Sequence, residues 1–335
     1  MNKELKTIMV AALENRPSTS FSAEEVNEAA VKAIMAECGL DENSTSRDFR
    51  AVEDRAFALI EESIDEILPK KLESVLGEFA EVRQFARDAE VAFNIEKIGK
   101  NRAKLTIAKG ARGGIYRAAK LDNKWFSPKT EVATVAVYVT LEEIILGSIS
   151  LSELYSNILE GFEEIVYKEV FNALAVGSSA AGTGYDAMKS TTTKATLGSA
   201  IDAVMPKVKA YGVPTIFGSY AALSNIYNPL AAATGYPNVE DSSDIRNYGF
   251  VQVYKGVRCV ELPNYLVGDD TWFYEQKYVF VVPSGVKPVK VALKGDVTLV
   301  RNTQATGSEK WEAHKMIGVG LAMANNYAVI TVSDL

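Results

Sequence analysis

The charge of the chain is divided between two neighbouring segments, and this division limits what residues 1–131 can form. Ile95–Glu131 holds ten Lys or Arg against three Asp or Glu, a net charge of +7, in a chain of 335 residues whose own net charge is −7. Residues 1–90 carry 20 acidic and 11 basic side chains, a net charge of −9. Complementary patches of this kind steer and orient contacts between copies of a protein. We therefore expect a surface that serves self-assembly.

The bulk composition is that of a globular protein. Hydrophobic residues make up 47% of the chain and charged residues 24%, which excludes a disordered or collagen-like chain. The negative net charge argues against general coating of nucleic acid. Ile8–Leu13 is too short for a signal-peptide core, and no stretch approaches the ~20 apolar residues of a membrane helix. The protein is therefore expected in the cytoplasm of the cell that makes it.

Apolar periodicity predicts that the first 90 residues are helical. A capping box at Ser22–Glu25 starts a short helix, and a second helical pattern runs from Ser46 to Pro69. The same period resumes from Leu72 to Phe85 after the proline. Because the apolar stripe is narrow, residues 1–90 are predicted to be a helical arm that lies on neighbouring copies.

The basic segment reads as a long β-hairpin. Two β-like runs, 103–108 and 115–121, flank Lys109–Gly114, whose glycines permit the positive φ of a hairpin turn. The runs contain few large apolar residues, so the hairpin cannot bury much of itself. Residues 91–131 are therefore predicted to project until another surface covers them.

The remaining two thirds of the chain alternate between strands and helices, with antiparallel strands at the end. Ser150–Glu153 is a capping box that opens a long amphipathic helix, about 25 residues and roughly 37 Å at the α-helical rise. The fold class is therefore α+β, with predicted domains 132–195 plus 286–335 and 196–285. The predicted elements are a strand at 132–140, helices at 151–174, 196–211 and 220–227, a strand at 213–217, strands at 289–293 and 297–301 around a Lys294–Asp296 turn, and strands at 315–324 and 327–332 joined at Asn325–Asn326.

Nothing in the sequence assembles into a catalytic or metal site. His314 is the only histidine, so triad and multi-His metal chemistries lack their parts, and a structural or surface role is expected for it. Gly177–Gly184 lacks the Gly-Lys-Ser/Thr ending of a phosphate-binding loop. Cys38 and Cys259 have no CxxC or His partner, which predicts buried free thiols in a reducing compartment. No catalytic, cofactor-binding or metal-binding residue is predicted.

The order of these parts resembles the major capsid protein of tailed bacteriophages, the HK97-fold family. Val132–Leu146 followed by Leu151–Leu174 is similar to the strand and long spine helix of that family, and Trp311–Val332 is similar to its closing strand pair. The likeness covers about residues 90–335. It implies an N-terminal arm at 1–90, an extended hairpin called the E-loop at 91–131, a peripheral domain that contains the spine helix, and an axial α/β domain at 196–285.

The resemblance also implies a function. Such a protein is not an enzyme and needs no cofactor; it self-assembles into the hexamers and pentamers of an icosahedral head around double-stranded DNA. The implied location is the virion, with assembly in the host cytoplasm. Further implied partners are scaffolding, portal and decoration proteins, while DNA contact is weak and nonspecific and no membrane is involved. Residues expected at the contact between subunits are Lys104, Lys109, Arg112, Gly113, Gly114, Arg117 and Lys120.

Two other readings stay open at this point. An encapsulin-like bacterial nanocompartment shell shares the fold and encloses a cargo enzyme instead of DNA. A hydrolase or transferase built on the α/β lobe belongs to another class, and the missing catalytic groups disfavour it.

Overall fold

The structure is a computed structural model, and its secondary structure is described for the following residues: 39, 46–95, 124–139, 151–177, 187–226, 244–245, 247–262, 264–268, 270–284, 287–303, 309–322 and 326–335. The predicted hairpin strands at 103–121, the capping box at Ser22–Glu25 and Cys38 lie outside these residues.

Helix α1 spans Ser46–Leu76, which confirms the helical pattern predicted from Ser46. Pro69 lies inside the helix and does not end it. The apolar side chains of its last three turns are buried against both sheets and the spine helix, so this half of α1 belongs to the core of the subunit. They are Ile64, Ile67, Leu68, Leu72 and Leu76.

The prediction that the helix continues to Phe85 is wrong. The helix ends at Leu76, and strand β1, Ala80–Phe85, follows. Phe79, Val82 and Phe85 are three residues apart, a spacing that fits a helix as well as a bent chain. A distant partner decides that residues 80–85 form a strand. Strand β1 pairs in parallel with β12, Val289–Thr303, from the other end of the sequence.

A four-stranded sheet in the order β1-β12-β13-β4 forms the first layer. Strand β4 is Glu131–Val139 and β13 is Glu309–Leu321. The predicted strand at 132–140 is thereby confirmed. Helix α1 and helix α2, Leu151–Val176, cover one face of this sheet. Val291, Leu293 and Ile317 of the sheet pack into the same core as both helices. The opposite face is called the outer face below.

The turn predicted at Lys294–Asp296 is not present, because strand β12 continues through it. The sequence Lys294-Gly-Asp296 was expected to be a turn between two strands, but β12 is continuous from Val289 to Thr303 and pairs with β13 on both sides of that point. The register shifts between Lys294 and Thr298, and Gly295 has φ +71°. The glycine therefore supports a β-bulge, which bends a strand without ending it.

Helix α2, Leu151–Val176, is the predicted spine helix. It crosses β4 and β13 on the covered face of the four-stranded sheet. Gly161 allows the close approach, because a Cβ at this position would lie 2.7 Å from a methyl group of Val135. The side chains of Ile158, Phe162 and Val166, which also belong to α2, are buried in the core.

Between β1 and β4 in the sequence, the chain forms a small two-stranded antiparallel sheet. Strand β2, Phe93–Ile95, pairs with strand β3, Lys124–Phe126, over three residue pairs. These two strands flank residues 96–123, which make up most of the basic segment, and are called its base below. Whether residues 96–123 form the predicted hairpin stays a prediction, since they lie outside the described residues.

A six-stranded sheet in the order β5-β14-β11-β6-β8-β7 forms the second layer. Helices α3, Leu197–Lys209, and α4, Tyr220–Leu223, pack on it. The helix predicted at 196–211 is thereby confirmed, and the one predicted at 220–227 is shorter than expected. A hairpin of β9 and β10, Leu266–Gly268 and Thr271–Trp272, lies between β8 and β11. The six strands are Met188–Thr192 (β5), Pro214–Gly218 (β6), Val253–Tyr254 (β7), Val257–Glu261 (β8), Tyr278–Pro283 (β11) and Ala328–Val332 (β14).

The predicted closing hairpin is wrong, although both of its strands exist. Strand β13 pairs with β12 and β4, whereas β14 pairs with β11 and β5 in the other sheet. Adjacent alternating runs with a short connection favour a hairpin in sequence. Here the connection leads from one sheet to the other, because β14 completes the apolar layer under α3 with Ala328, Ile330 and Val332.

The two sheets share one core at Phe79. This residue is 1% exposed, and its ring meets that of Phe217 edge-to-face with 5.2 Å between centroids. The ring of Phe171 of α2 lies near it too, with 6.5 Å between the centroids of Phe79 and Phe171. Glu78, the residue before Phe79, forms an ion pair at 3.2 Å with Arg258 of β8. The loop after α1 therefore ties both layers to the spine helix.

Candidate assembly surface

The outer face of the four-stranded sheet holds the base of the basic segment. Gly318 and Gly320 alternate with apolar residues of β13 that point into the core, so both glycines face outward. A Cβ at Gly320 would lie 2.6 Å from Cζ of Phe126, and one at Gly318 would lie 2.9 Å from the carbonyl oxygen of Lys129. The absence of a side chain at both glycines therefore lets residues 126–130 lie directly against the sheet.

Aromatic packing fixes the other strand of this base. Phe93 is 0% exposed and lies beside Ala292, an outward residue of β12. Its ring meets that of Phe85 edge-to-face with centroids 5.4 Å apart, and the guanidinium carbon of Arg83 lies 5.6 Å from its centroid. Both ends of the basic segment are thereby anchored on the face opposite to α1 and α2.

The subunit-contact residues predicted from the sequence lie within residues 96–123, outside the described part of the chain. The structure therefore says nothing of their contacts, and their role stays a prediction. They are Lys104, Lys109, Arg112, Gly113, Gly114, Arg117 and Lys120.

A charged contact joins α1 to the bulge of β12. The ammonium group of Lys315, a residue only 2% exposed, contacts a carboxylate oxygen of Asp65 and donates to the carbonyl oxygen of Gly295 at 3.1 Å. The other oxygen of Asp65 accepts the backbone N–H of Val297 at 2.9 Å. Because of the bulge, the N–H of Val297 has no partner within the sheet. The Asp65 carboxylate of α1 accepts it instead.

Glu61 repeats this contact one helical turn earlier. Its carboxylate accepts the backbone N–H of Leu299 at 2.6 Å. Burial raises the pKa of Glu61, the charges of Asp65 and Asp296 raise it further, and the hydrogen bond from Leu299 opposes them. The sequence predicted that residues 1–90, which include these acids, form an arm that lies on neighbouring copies. The missed signal was their i, i+4 spacing, which places both on one face of the helix.

A cavity of about 360 Å³ opens beside this contact. Its lining mixes both signs of charge and includes the acidic Glu61 and Asp296 and the basic Arg87 and Lys294. His314 lines it too, and its Nδ1 lies 3.0 Å from the hydroxyl of Thr134. Within the described residues, no group of three or more His, Cys, Asp or Glu is placed to hold a metal ion.

The β9–β10 hairpin and the residues next to it expose several large apolar side chains. Tyr265, Leu266 and Val267 are 46%, 52% and 56% exposed, and Trp272 is 45% exposed. The ring of Tyr265 stacks on buried Phe273 with 4.8 Å between centroids. Large exposed apolar clusters of this kind mark contact surfaces.

Acidic side chains of α2 adjoin this hairpin. Burial raises the pKa of the Tyr265 hydroxyl, and the nearby charges of Glu164 and Glu160 raise it further. Glu163, one position away, is paired with Lys71 of α1 at 3.0 Å. Burial raises the pKa of Glu163 despite this partner. The surface therefore joins an apolar half to a negatively charged half.

Two further observations concern the remaining functional classes. Within the described residues, no helix combines the length and apolar character that crossing a bilayer requires. Cys259 is a buried free thiol, as predicted, and burial raises its pKa to about 12.

The chain is similar in fold to solved structures at low sequence identity. The satellite phage P4 procapsid including size determination (Sid) protein aligns over 100% of this chain and 99% of its own, with a TM-score of 0.53 and 10% identity. The virus-like particle from Pyrococcus furiosus aligns over 80% and 96% with a TM-score of 0.47 and 10% identity. The holo-SrpI encapsulin complex from Synechococcus elongatus PCC 7942 aligns over 78% of this chain and 87% of its own, with a TM-score of 0.45 and 10% identity.

The sequence comparisons identify the family. No curated protein matches the chain in sequence. The family model for the "SPbeta prophage-derived putative capsid protein YonB" matches residues 4–331. The resemblance to phage capsid proteins and the α+β, HK97-like fold predicted from the sequence are confirmed. The chain belongs to the YonB family of prophage-derived capsid proteins and has the HK97-like capsid fold.

Proposed function

We propose that this capsid protein assembles with copies of itself into hexamers and pentamers that form an icosahedral head shell around double-stranded DNA. The match of nearly the whole chain, residues 4–331, to a capsid protein family carries this proposal. The exposed apolar hairpin and the anchored basic segment support it, because both offer surface that association would cover. Rings of head-to-tail contacts close into capsomers of this type.

In this proposal the chain is a structural protein and not an enzyme. It is located in the virion and assembles in the host cytoplasm, with scaffolding, portal and decoration proteins as further partners. Contact with the packaged DNA is weak and nonspecific, since the subunit carries a net charge of −7.

The basic segment acts as the E-loop that lies over a neighbouring subunit. Its net charge of +7 faces acidic helical surface there, and Arg112–Gly114 at its predicted tip makes part of that contact. The base on Gly318 and Gly320 supports this role, because it holds the segment at a fixed place on the sheet.

The domain division proposed from the sequence needs one refinement. A peripheral domain is proposed around the four-stranded sheet and α2, and an axial domain around the six-stranded sheet. The last half of α1 is buried in the shared core. An arm that reaches other subunits is therefore proposed only for residues before Ser46.

Negative-stain electron microscopy of the recombinant protein, alone and with a neighbouring scaffold gene product, tests the proposed function. Closed shells, rings or tubes are the expected result. Shells that hold DNA agree with a phage head, while small shells that hold a cargo enzyme instead indicate an encapsulin-like compartment. A protein that stays monomeric under both conditions would contradict the proposal.

A further inference from the structure

One edge of strand β12 is covered by a helix and not by another strand. Strand β1 pairs with β12 only as far as Lys294. Beyond that residue, within the part of the chain that the structure describes, β12 has a strand partner on its β13 side alone. The other edge of residues 297–303 would therefore present a row of unpaired backbone groups. Such an edge is a template for pairing with another chain.

Two carboxylates of α1 accept the first donors on this edge. The N–H of Val297 donates to Asp65 at 2.9 Å. The N–H of Leu299 donates to Glu61 at 2.6 Å. The N–H groups on one edge of a strand belong to every second residue, about 6.6 Å apart, while four residues of an α-helix rise about 6 Å. Acids at an i, i+4 spacing on α1 therefore match donors at an i, i+2 spacing on β12.

The two carboxylates differ in how firmly other residues hold them. Asp65 also contacts the ammonium group of Lys315, and Gln84 donates to its carbonyl oxygen at 2.5 Å. Burial raises the pKa of Glu61, and the charges of Asp65 and Asp296 raise it further, although the hydrogen bond from β12 opposes them. Because the uncharged form of Glu61 is favoured at this place, we expect the fold to tolerate an uncharged side chain of similar length there.

The opposite edge of the same sheet is formed by β4, Glu131–Val139. Within the described residues, β4 pairs with β13 only. Its pairing with β13 has no register shift, Glu131 is its only charged residue, and Val132 is 58% exposed. Strand β4 therefore has none of the bulges, prolines or inward charges that keep edge strands from pairing. An uncovered β12 would meet a ready partner in β4 of the next copy, and such a head-to-tail contact continues without closing.

We propose that Glu61 and Asp65 form an inhibitory contact, which covers the edge of β12 and prevents it from pairing with strand β4 of a second copy. The donors that this contact withholds are those of Val297 and Leu299. Without it, donors on the same edge would follow at every second residue up to Thr303. The proposal goes beyond shell formation, because it concerns a contact that the single subunit excludes.

Disulfide trapping between two populations of subunits tests the contact. One population carries Val300→Cys and the other Ala136→Cys, both in a Cys38→Ser background. Val300 and Ala136 are exposed, and both pair with Glu312, so they lie on the same face of the sheet. Thr134→Cys replaces Ala136→Cys in a parallel experiment, which covers a neighbouring register. The two populations are mixed and oxidised before assembly, and the dimer that contains one of each is quantified by mass.

Glu61→Met in both populations removes the acceptor and keeps a side chain of similar length. Glu61→Gln is the matched control, because it loses the same charge and retains an acceptor oxygen. The methionine variant is expected to give roughly tenfold more mixed dimer than the glutamine variant or the unmodified residue, since only methionine leaves the N–H of Leu299 free to pair. Equal cross-linking of the methionine and glutamine variants overturns the proposal, whether or not the unmodified protein forms particles.

Leu299→Pro provides a second test. Proline has no N–H, so it removes the donor that a second copy would use. In the Glu61→Met background it is expected to abolish the additional cross-link, and circular dichroism checks that each variant is folded. A cross-link that persists in the folded proline variant overturns the proposal. Loss of the fold in Glu61→Met but not in Glu61→Gln overturns it too, because Glu61 would then be required for the fold itself.

Discussion

Lys315 and Asp65, which are 250 positions apart in the chain, form an ion pair in which the lysine side chain is 1% exposed and the aspartate side chain 18%. The pair lies where α1 meets the bulge of β12, and Asp65 also accepts the N–H of Val297. A charge buried in this way is costly unless its partner is present. The contact therefore sets the position of α1 on the sheet.

Lys315→Met is expected to destabilise the subunit by about 3 to 5 kcal/mol, because it leaves the Asp65 carboxylate partly buried without its counter-charge. Urea unfolding followed by circular dichroism measures the effect. The double variant Lys315→Met with Asp65→Asn should recover much of the loss, since no uncompensated charge remains. A double variant as unstable as the single one would contradict this account.

Gly320→Ala is expected to displace the base of the basic segment. The new Cβ would lie 2.6 Å from Cζ of Phe126, and overpacking of this kind costs about 1 to 3 kcal/mol. Thermal unfolding and particle yield measure the effect. Combining the change with Phe126→Ala relieves the contact, so the penalty of the alanine at 320 should become much smaller in that background. Additive penalties would show that the two residues do not meet.

Glu81→Gln is expected to reduce stability in a pH-dependent way. Burial raises the pKa of Glu81, but Lys290 and Arg83 together outweigh it, so the pKa lies below its ordinary value. A lowered pKa stabilises the folded state above the unfolded pKa, and this contribution is lost as the pH falls through the folded pKa. The variant should be less stable by about 2 kcal/mol near neutral pH.

The difference between Glu81→Gln and the unmodified protein should shrink as the pH falls below the ordinary glutamate pKa and through the lowered pKa of the folded state, because the carboxylate is then protonated in both states. Melting curves from neutral pH downward measure it. Glu131→Gln is the control, because Glu131 pairs with Lys129 while 67% exposed and such pairs contribute little. A difference at Glu81 that grows with acid would show that the sign is wrong.

Phe79→Ala is expected to cost about 3 to 5 kcal/mol by leaving a cavity where the two sheets meet. The ring contacts Phe217 and Phe171 from different layers, so both layers should lose stability together. Hydrogen exchange measured separately for β1 and β6 tests this. Val75→Ala in α1, whose side chain is 42% exposed, should change little. Loss of protection in one sheet alone would contradict the shared core.

The Cys259 thiol is expected to be unreactive in the folded subunit, because burial raises its pKa to about 12. In a Cys38→Ser background, Ellman's reagent at pH 8 should modify no thiol until denaturant is added. Rapid modification of the folded protein would show that β8 opens locally.

Several elements could be predicted because their signal is local. The apolar stripe of Leu151–Val176 repeats with the helical period over 26 residues, and the run at Glu131–Val139 is rich in β-branched residues. The helix at Leu197–Lys209 likewise follows its own periodicity. The fold class and the resemblance to capsid proteins followed from the order of such elements.

Elements whose structure depends on distant partners were predicted less well. Phe79–Phe85 fits a helix in isolation and becomes a strand beside β12, and Ala328–Val332 leaves its sequence neighbour to join β11 and β5. Of the candidate site, the charge of the basic segment was visible in the sequence. The apolar hairpin at 265–272 was not, because exposure depends on what the rest of the fold covers.

The sequence by itself determined the separation of charge, the long spine helix and the family, since composition and periodicity are properties of the chain alone. Only the tertiary structure decided that Asp65 and Glu61 turn inward to the bulge, and that Gly318 and Gly320 seat the base of the basic segment. Partners of these residues lie far away in sequence. Burial, hydrogen bonding and close approach arise only when both partners are in place, because a buried charge or a missing Cβ is favourable only beside the group that it meets.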